Sequence, residues 1–206
     1  MEFKRYITSY VETNTYLAYD EFTHEGFIVD PGDYDPKLTR DANELGISIE
    51  YIILTHAHGD HIGGTESYKL DFPAAKVIVH RDDVDMLGDY RLNESYSCCG
   101  RVVQFEADLL AKDGDEMKVG NMTLRFIHTP GHTKGGMCIL VDKYLFCGDT
   151  IFRYSVGRTD FYGGSMPALK SSIRNKIYRL PDDTVLLPGH MDYSTVGDEK
   201  KGNPFV

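Results

Sequence analysis

Short apolar segments alternate with amphipathic ones along the chain, and this order occurs twice. In the first half, five apolar segments predict β-strands, at 3–10, 14–19, 26–29, 49–54 and 76–80. The fourth of these is apolar without interruption, which is typical of a strand buried on both faces. A helix is predicted between the third and fourth segments, because Asp35 can cap a helix that begins with Pro36, and Gly46 can end it.

Two shorter helices are predicted near 62–70 and at 81–88. The second half begins near Val102, and its predicted strands are 123–128, 136–142, 144–148 and 184–187. The clearest helix covers 165–180, where Ser165 is a capping residue and apolar side chains recur at helical spacing: Met166, Leu169, Ile173, Ile177 and Leu180. No linker or low-complexity segment interrupts this order, so residues 1–206 are predicted to form one α/β domain.

Composition and charge exclude several classes of partner. The chain has 206 residues and a net charge of −10, which argues against binding to nucleic acid or to an anionic membrane. No apolar segment is long enough to cross a membrane, and the N-terminus lacks the apolar core of a signal peptide. The four cysteines show no Cys-x-x-Cys spacing, so we expect a cytoplasmic protein with reduced thiols. The oligomeric state stays open.

The stretch THAHGDHIGG, residues 55–64, brings four possible metal ligands close together: His56, His58, Asp60 and His61. Three later residues lie in the loops that follow predicted strands, as this stretch does: His132, Asp149 and His190. Taken singly, each is an ordinary turn or hydrogen-bonding residue. Together they indicate a metal site, because the strand ends of one sheet system open at a common edge. Imidazole and carboxylate suit Zn²⁺, with Fe or Mn as alternatives. The other histidines are assigned surface or structural roles: His24, His80 and His128.

These residues carry a family resemblance. The His-x-His-x-Asp-His stretch, followed in order by the three later ligands, resembles the metallo-β-lactamase superfamily. The resemblance implies an αββα four-layer sandwich, in which two mixed β-sheets are flanked by helices. Within this superfamily, LFCGDTIF and LLPGH are similar to the glyoxalase II (hydroxyacylglutathione hydrolase) branch, and GRTDF and the C-terminal tail to its short bacterial members. Asp149 stands where true β-lactamases carry a cysteine, so antibiotic hydrolysis is not expected.

The resemblance implies two divalent metal ions, most readily Zn. His56, His58 and His132 would hold the first, Asp60, His61 and His190 would hold the second, and Asp149 would bridge them. Asp60 and Asp149 would also be the catalytic carboxylates. A hydroxide shared by the ions would attack a thioester carbonyl. With two ions, two carboxylates and this hydroxide, the centre has a formal charge of about +1 and should attract an anionic small molecule. The implied substrate is S-D-lactoylglutathione, which yields D-lactate and glutathione.

Substrate contacts are harder to assign. Full-length glyoxalase II has a helical C-terminal extension with basic residues for glutathione, whereas this chain ends shortly after His190. The remaining candidates are Arg158 for a carboxylate, and Tyr162 and Tyr193 for the peptide part. Arg158 has an equally good alternative role in an ion pair with Asp160.

Two other functions compete with thioester hydrolysis. A persulfide dioxygenase resembles the chain in the same metal motif and in GRTDF, and it would use one iron held by His56, His132 and Asp149. It would oxidise glutathione persulfide. A non-catalytic binding module is the third alternative, whereas the acidity of the chain disfavours an RNA-processing nuclease of this fold.

Overall fold

Two six-stranded sheets form the framework of the molecule, and a computed structural model describes all residues, 1–206. The first sheet follows chain order: β1 (Glu2–Thr8), β2 (Thr13–Tyr19), β3 (Glu25–Val29), β4 (Ser48–Ile53), β5 (Lys76–His80) and β6 (Leu109–Ala111). The first three strands pair antiparallel, and the pairs from β3 to β6 are parallel, so the sheet is mixed.

The second sheet is built by the second half of the chain. Its strands are β7 (Glu116–Val119), β8 (Met122–His128), β9 (Met137–Val141), β10 (Tyr144–Gly148), β13 (Val185–Pro188) and β14 (Ser194–Thr195). They lie in the order β14-β13-β10-β9-β8-β7, and only β10 and β13 pair in parallel. A separate hairpin is formed by β11 (Ile151–Phe152) and β12 (Ser155–Val156).

Helices cover the outer faces of both sheets. They are α1 (Pro36–Glu44), α2 (Gly59–Ile62), α3 (Thr65–Asp71), α4 (Val84–Leu87), α5 (Ser95–Cys99), α6 (Met166–Asn175) and α7 (Val196–Gly202). Short 3₁₀ turns precede α4 and follow α6. No helix has both the length and the apolar character needed to cross a bilayer.

Three layers of buried side chains hold the four structural layers together. One layer packs α1 to α4 against the first sheet, the second lies between the sheets, and the third packs α6 against the second sheet. Strand β4 contributes to two of them, because Ile52 lies in the first layer and Ile53 in the second, both fully buried. Each contributes about 1.5–3 kcal/mol. This confirms the prediction that the strand is buried on both faces.

Most predicted elements are present, with differences at their ends. The cap of α1 is as predicted: Asp35 accepts a hydrogen bond from the Lys37 N–H at 2.8 Å, and Gly46 has a φ of +65°. The helix predicted near 62–70 is wrong in its extent, because α2 ends at Ile62 and α3 begins at Thr65. The helix predicted for 165–180 ends as an α-helix at Asn175. The strands β6, β7, β11, β12 and β14 and the helices α5 and α7 were not predicted.

Candidate metal centre

The loops that follow β4, β8, β10 and β13 meet at one edge of the two sheets. This edge brings together all seven residues that the sequence predicts as metal ligands. Four of them lie on the loop after β4 and on α2, and the other three come singly from the later loops: His132, Asp149 and His190. Gly189 lets these loops approach, because a Cβ there would lie 2.5 Å from both Asp149 Oδ1 and His61 Cε1.

Three imidazoles form the first group of possible ligands. His132 Nε2 lies 3.2 Å from His56 Nε2 and 2.8 Å from His58 Nδ1. The nitrogens of a tetrahedral ion with bonds of about 2.0–2.1 Å are about 3.3 Å apart. All three side chains are buried. The spacing therefore fits three nitrogens around one ion.

The second group mixes imidazole and carboxylate. His190 Nε2 lies 3.3 Å from His61 Nε2 and 3.2 Å from Asp60 Oδ2, and the distance from His61 Nε2 to that same oxygen is 3.6 Å. These three atoms also surround a point at bonding distance from each. The chain thus forms two triads side by side.

Asp149 faces both triads. Its Oδ1 lies 3.3 Å from His61 Nε2, and its Oδ2 lies 3.5 Å from His132 Nε2 and 3.7 Å from His190 Nε2. Oδ1 is buried and has no hydrogen-bond partner. A buried carboxylate oxygen without a donor is costly, and a cation at this point would satisfy it. The donors present therefore fit two metal ions with Asp149 between them.

The protonation states agree with this fit. Burial lowers the pKa of His56 well below its usual value and lowers that of His58 to about 3, so both imidazoles are neutral at pH 7. Neutral imidazole is the form that binds metal. Burial also opposes a proton on His61, but three surrounding carboxylates outweigh it and raise the pKa of His61 well above its usual value. The second triad is thus an environment that favours positive charge.

Hydrogen bonds orient two of the rings. His132 Nδ1 donates to the Arg158 carbonyl at 2.7 Å, which leaves Nε2 free for the first triad. His61 Nδ1 donates to Asp30 Oδ2 at 3.0 Å, which points its Nε2 towards the second triad. Such partners fix the tautomer and direction of a ligand and raise its basicity.

Asp30 is an orienting residue that the sequence analysis missed. It directly follows β3, is 1% exposed and has a φ of +49°. Besides His61, it accepts hydrogen bonds from the Thr55 N–H and the Thr55 hydroxyl, both at 2.7 Å, and that hydroxyl lies 3.1 Å from His56 Nδ1. One carboxylate therefore supports a ring in each triad. Its place at a strand end is the same signal that identified the later ligands.

Asp83 is a second carboxylate that the sequence did not single out. It is fully buried and connects two ligand-bearing loops. It accepts hydrogen bonds from the Ala57 N–H at 3.2 Å, from the Thr133 hydroxyl at 2.7 Å and from the Gly135 N–H at 2.6 Å. Ala57 lies between two ligands of the first triad, and Thr133 directly follows the third. Burial raises the pKa of Asp83 to about 6, against the lowering effect of these donors.

A cleft of about 770 Å³ opens above the two triads and gives solvent access to them. The aromatic ring of Phe161 lies 5.6 Å from the ring of His58, and that of Phe152 lies 6.0 Å from the ring of His190. Each triad thus has an aromatic side chain beside it in the wall of the cleft.

The three predicted substrate-binding residues are not grouped together. Arg158 lines the cleft, but its guanidinium forms two hydrogen bonds of 2.7 Å with Asp160. The Tyr162 hydroxyl donates to Asp85 and accepts from Lys134, outside the cleft lining. Tyr193 packs between the sheets, with the Arg5 guanidinium 4.6 Å from its ring. Of the three, only Arg158 faces the cleft, and their role in substrate binding stays a prediction.

Comparison with known proteins finds relatives with several different names. The family profile described as the metallo-beta-lactamase superfamily matches residues 11–190. The chain is 32% identical over 200 residues to the hydroxyacylglutathione hydrolase GloC of Haemophilus influenzae, covering 95% of this chain and 93% of that protein. It is 30% identical over 200 residues to the human mitochondrial persulfide dioxygenase ETHE1, covering 93% of this chain and 70% of that protein.

Solved structures confirm the predicted fold class. BLEG-1, described as a B3 metallo-beta-lactamase, matches with a TM-score of 0.92 and 35% identity over 99% of both chains. TTHA1623, solved in a di-iron-bound form, matches with a TM-score of 0.85 and 28% identity over 98% of this chain and all of that one. The profile match and these relatives together show that the chain belongs to the metallo-beta-lactamase superfamily.

Proposed function

We propose that the chain is a binuclear metal-dependent hydrolase that cleaves thioesters, with S-D-lactoylglutathione as the first substrate to test. The observation that carries the proposal is the position of Asp149, whose two oxygens face two complete triads. A site for a single ion needs only three or four ligands, whereas two groups of three and Asp149 converge here. The relative named as a hydroxyacylglutathione hydrolase supports the same reaction class.

The residues of the chain have separate roles in this proposal. The two triads would hold one ion each, with Zn, Fe and Mn all compatible with their ligands. When bound, a pair of such ions supplies a hydroxide nucleophile at neutral pH and stabilises developing negative charge on a carbonyl oxygen. Asp60 lines the cleft as an ionised carboxylate, because the neighbouring imidazoles outweigh burial and lower its pKa to about 2. It is placed to orient an attacking water.

The leaving group explains the preference for thioesters. A thiolate leaves without the proton that an amide nitrogen requires, so the site needs no general acid beside the scissile bond. The side chains packed beside His190 and His58 are the phenyl rings of Phe152 and Phe161. Amide substrates, including β-lactams, would therefore react more slowly than thioesters.

A persulfide dioxygenase is the second candidate. His56, His132 and Asp149 would hold its single iron, and their atoms lie 3.2 and 3.5 Å apart. The similarity to ETHE1 favours this reaction. The second triad favours the hydrolase, because an enzyme with a single iron does not need a second set of ligands such as Asp60, His61 and His190.

One set of measurements on the purified protein separates these reactions. The protein is loaded with Zn, Fe or Mn in turn, and metal per chain is measured together with thioester hydrolysis, oxygen uptake with glutathione persulfide and β-lactam hydrolysis. We expect about two ions per chain and hydrolysis of the thioester. One iron per chain with oxygen uptake and no hydrolysis would overturn the proposal.

A histidine variant sharpens the distinction. His190→Ala removes a ligand of the second triad only, so we expect about one ion per chain and loss of hydrolysis. His24→Ala is the matched control, because His24 is exposed and its ring contacts only the Leu45 carbonyl, at 2.9 Å. Full activity of His190→Ala with one ion would show that the second triad is not needed.

A further inference from the structure

The walls of the cleft differ from those expected for an anionic substrate, and we infer that the enzyme prefers thioesters whose thiol carrier bears no carboxylate. The carrier class is an uncharged amide-containing thiol, in place of glutathione. This inference rests on the proposed thioester hydrolysis and specifies its substrate.

The first observation is the apolar surface around the reacting centre. Phe161 and Phe152 lie beside the two triads, and Val11 and Met191 line the cleft with 40% and 57% of their surface exposed. Exposed apolar side chains at the mouth of a binding cleft indicate contact with apolar parts of a ligand. These side chains offer no hydrogen-bond donor to a carboxylate.

The second observation is the charge of the wall. Apart from the predicted ligands, the charged residues that line the cleft are Glu12, Glu94 and Arg158. Glu12 is exposed, and Glu94 is half-buried with its Oε2 accepting a hydrogen bond from the Ser97 hydroxyl at 2.8 Å. Two carboxylates in the wall repel a third one on the substrate.

The third observation is that the single cation is already engaged. Arg158 forms a two-pronged ion pair with Asp160, and its guanidinium carbon lies 3.8 Å from the centre of the Phe161 ring. The hydrogen bond with Asp160 raises the pKa of Arg158 above its usual value, and Glu94 adds to this effect. A carboxylate of the substrate would have to displace Asp160, so Arg158 is not a free anion-binding group.

The metal centre also carries less positive charge once the residues around its ligands are counted, so it attracts anions less strongly. The buried Asp30, hydrogen-bonded to His61 at 3.0 Å, adds one negative charge beside the second triad. With two divalent ions, two ligand carboxylates and a hydroxide, the formal charge then becomes about zero. Glutathione brings two carboxylates, which would meet an uncharged centre and an acidic wall.

A matched pair of substrates tests the inference. S-Lactoyl-N-acetylcysteamine and S-D-lactoylglutathione share the acyl group and differ in the carrier, and each rate is divided by the rate of hydroxide hydrolysis without enzyme. For the metal-replete protein we expect kcat/KM to be at least about 10-fold higher for the uncharged carrier. Equal or higher kcat/KM for the glutathione ester would overturn the inference while leaving thioester hydrolysis standing. Hydrolysis of neither ester would contradict the proposed function itself.

Variants of the cleft wall test whether its charged residues cause the preference for an uncharged carrier. Asp160→Asn releases Arg158, and Glu12→Gln with Glu94→Gln removes the two repelling carboxylates. Each change should lower KM for the glutathione ester by about 3–10-fold and leave KM for the uncharged ester unchanged. Glu21→Gln is the control, because Glu21 is exposed beyond the opposite end of β2. Binding of the corresponding non-hydrolysable thioethers, measured by calorimetry, should show the same order. Unchanged KM and unchanged thioether binding in all wall variants would contradict this assignment.

Discussion

Histidines gather in two places in the molecule, and only one of them has the geometry of a metal centre. The second cluster consists of His80, at the end of β5, and His128, at the end of β8, with Asp82 nearby. Both clusters lie at strand ends and contain imidazole and carboxylate within a few ångströms. Residue type and position along a strand therefore do not distinguish them.

Ring orientation does distinguish them. The rings of His80 and His128 are stacked, with centres 3.9 Å apart and an angle of 11° between their planes. In the metal centre, the rings of His58 and His132 meet at 76°, and those of His61 and His190 at 82°. The lone pair of an imidazole nitrogen lies in the ring plane, so steeply inclined rings can point at one ion, whereas parallel rings point past each other.

Hydrogen bonding gives the same answer. His80 Nδ1 accepts from the Asp82 N–H at 3.3 Å, and His128 Nε2 donates to the Lys134 carbonyl at 2.8 Å. In the metal centre, Asp149 Oδ1 is buried without a partner. One nitrogen of each stacked ring is hydrogen-bonded to the backbone, while the metal centre keeps a buried carboxylate oxygen that a cation would satisfy. The comparison teaches that orientation and unsatisfied acceptors identify a site better than composition.

The most severe test of the metal centre is Asp149→Ala, because this residue alone faces both triads. We expect loss of at least one ion per chain and a fall in kcat/KM of more than about 100-fold, since removing a group that only orients a ligand already costs about 10–100-fold. Elemental analysis and steady-state kinetics measure the two effects. Retention of both ions would contradict the bridging role.

Cys147→Ala provides the matched control for that change. Cys147 lies two residues earlier on β10, is fully buried and packs in the layer against α6. Its truncation should cost about 1 kcal/mol of stability and leave metal content unchanged. Metal loss in this variant but not in Asp149→Ala would show that Cys147, and not Asp149, is the metal ligand at the end of β10.

Asp83→Asn should have the next largest effect. The Asp83 carboxylate accepts from three donors on two loops, and the amide of asparagine would present a donor to at least one of them. We expect metal affinity to fall by about 10–100-fold, measured by competition with a chelator. Asp82→Asn is the control, because the Asp82 side chain is 44% exposed. Equal affinity of the two variants would show that Asp83 does not position the ligands.

The sequence predicts the parts of the fold that depend on local burial. The bounds of β5 are as predicted, because its apolar residues are flanked by polar ones, and those of β10 are as predicted as well. Strand β7 was missed because it is short and half exposed. The helix near 62–70 was misjudged because α2 already begins at Gly59, within the ligand stretch, and a break at Gly63 and Gly64 separates it from α3.

In the candidate site, too, the sequence predicts some residues and not others. The ligands after β4 follow each other in sequence, and the later ones follow predicted strands, so both could be found without a structure. Asp83 could not, because its partners lie 26, 50 and 52 residues away and two of them are backbone N–H groups. Every residue except proline has a backbone N–H, so the residue type does not indicate which acceptor this group binds. Only the folded structure shows that Asp83 is the acceptor.

We expect the stacked pair, His80 and His128, to make the stability of the protein depend on pH and not to bind metal. Burial, followed by the charge of His128, lowers the pKa of His80 to about 4, with Arg81 acting in the same direction and Asp82 and Asp113 opposing it. Well above about pH 6.5 the ring is neutral in both the folded and the unfolded states. As the pH falls from there towards 4, the unfolded state takes up the proton first, so stability declines.

His80→Gln should remove this part of the acid sensitivity. Between about pH 7 and about pH 5, the metal-free wild type should lose about 2 kcal/mol more stability than the variant, measured by urea unfolding. Using metal-free protein in both cases keeps ligand release out of the comparison. An equal loss in the two proteins would show that His80 is protonated as readily in the folded state as in the unfolded chain.

The smallest effect is expected from His128→Gln, which tests whether the stacked pair holds metal at all. If ring orientation decides, the variant should bind as many ions per chain as the wild type, with unchanged affinity and kcat/KM. The bond to the Lys134 carbonyl and the stacking on His80 are lost, which together cost about 1 kcal/mol of stability. Metal titration followed by elemental analysis gives the count. Should the wild type bind one ion more than His128→Gln, the stacked rings would have to reorient on binding, and the distinction between the two clusters would fail.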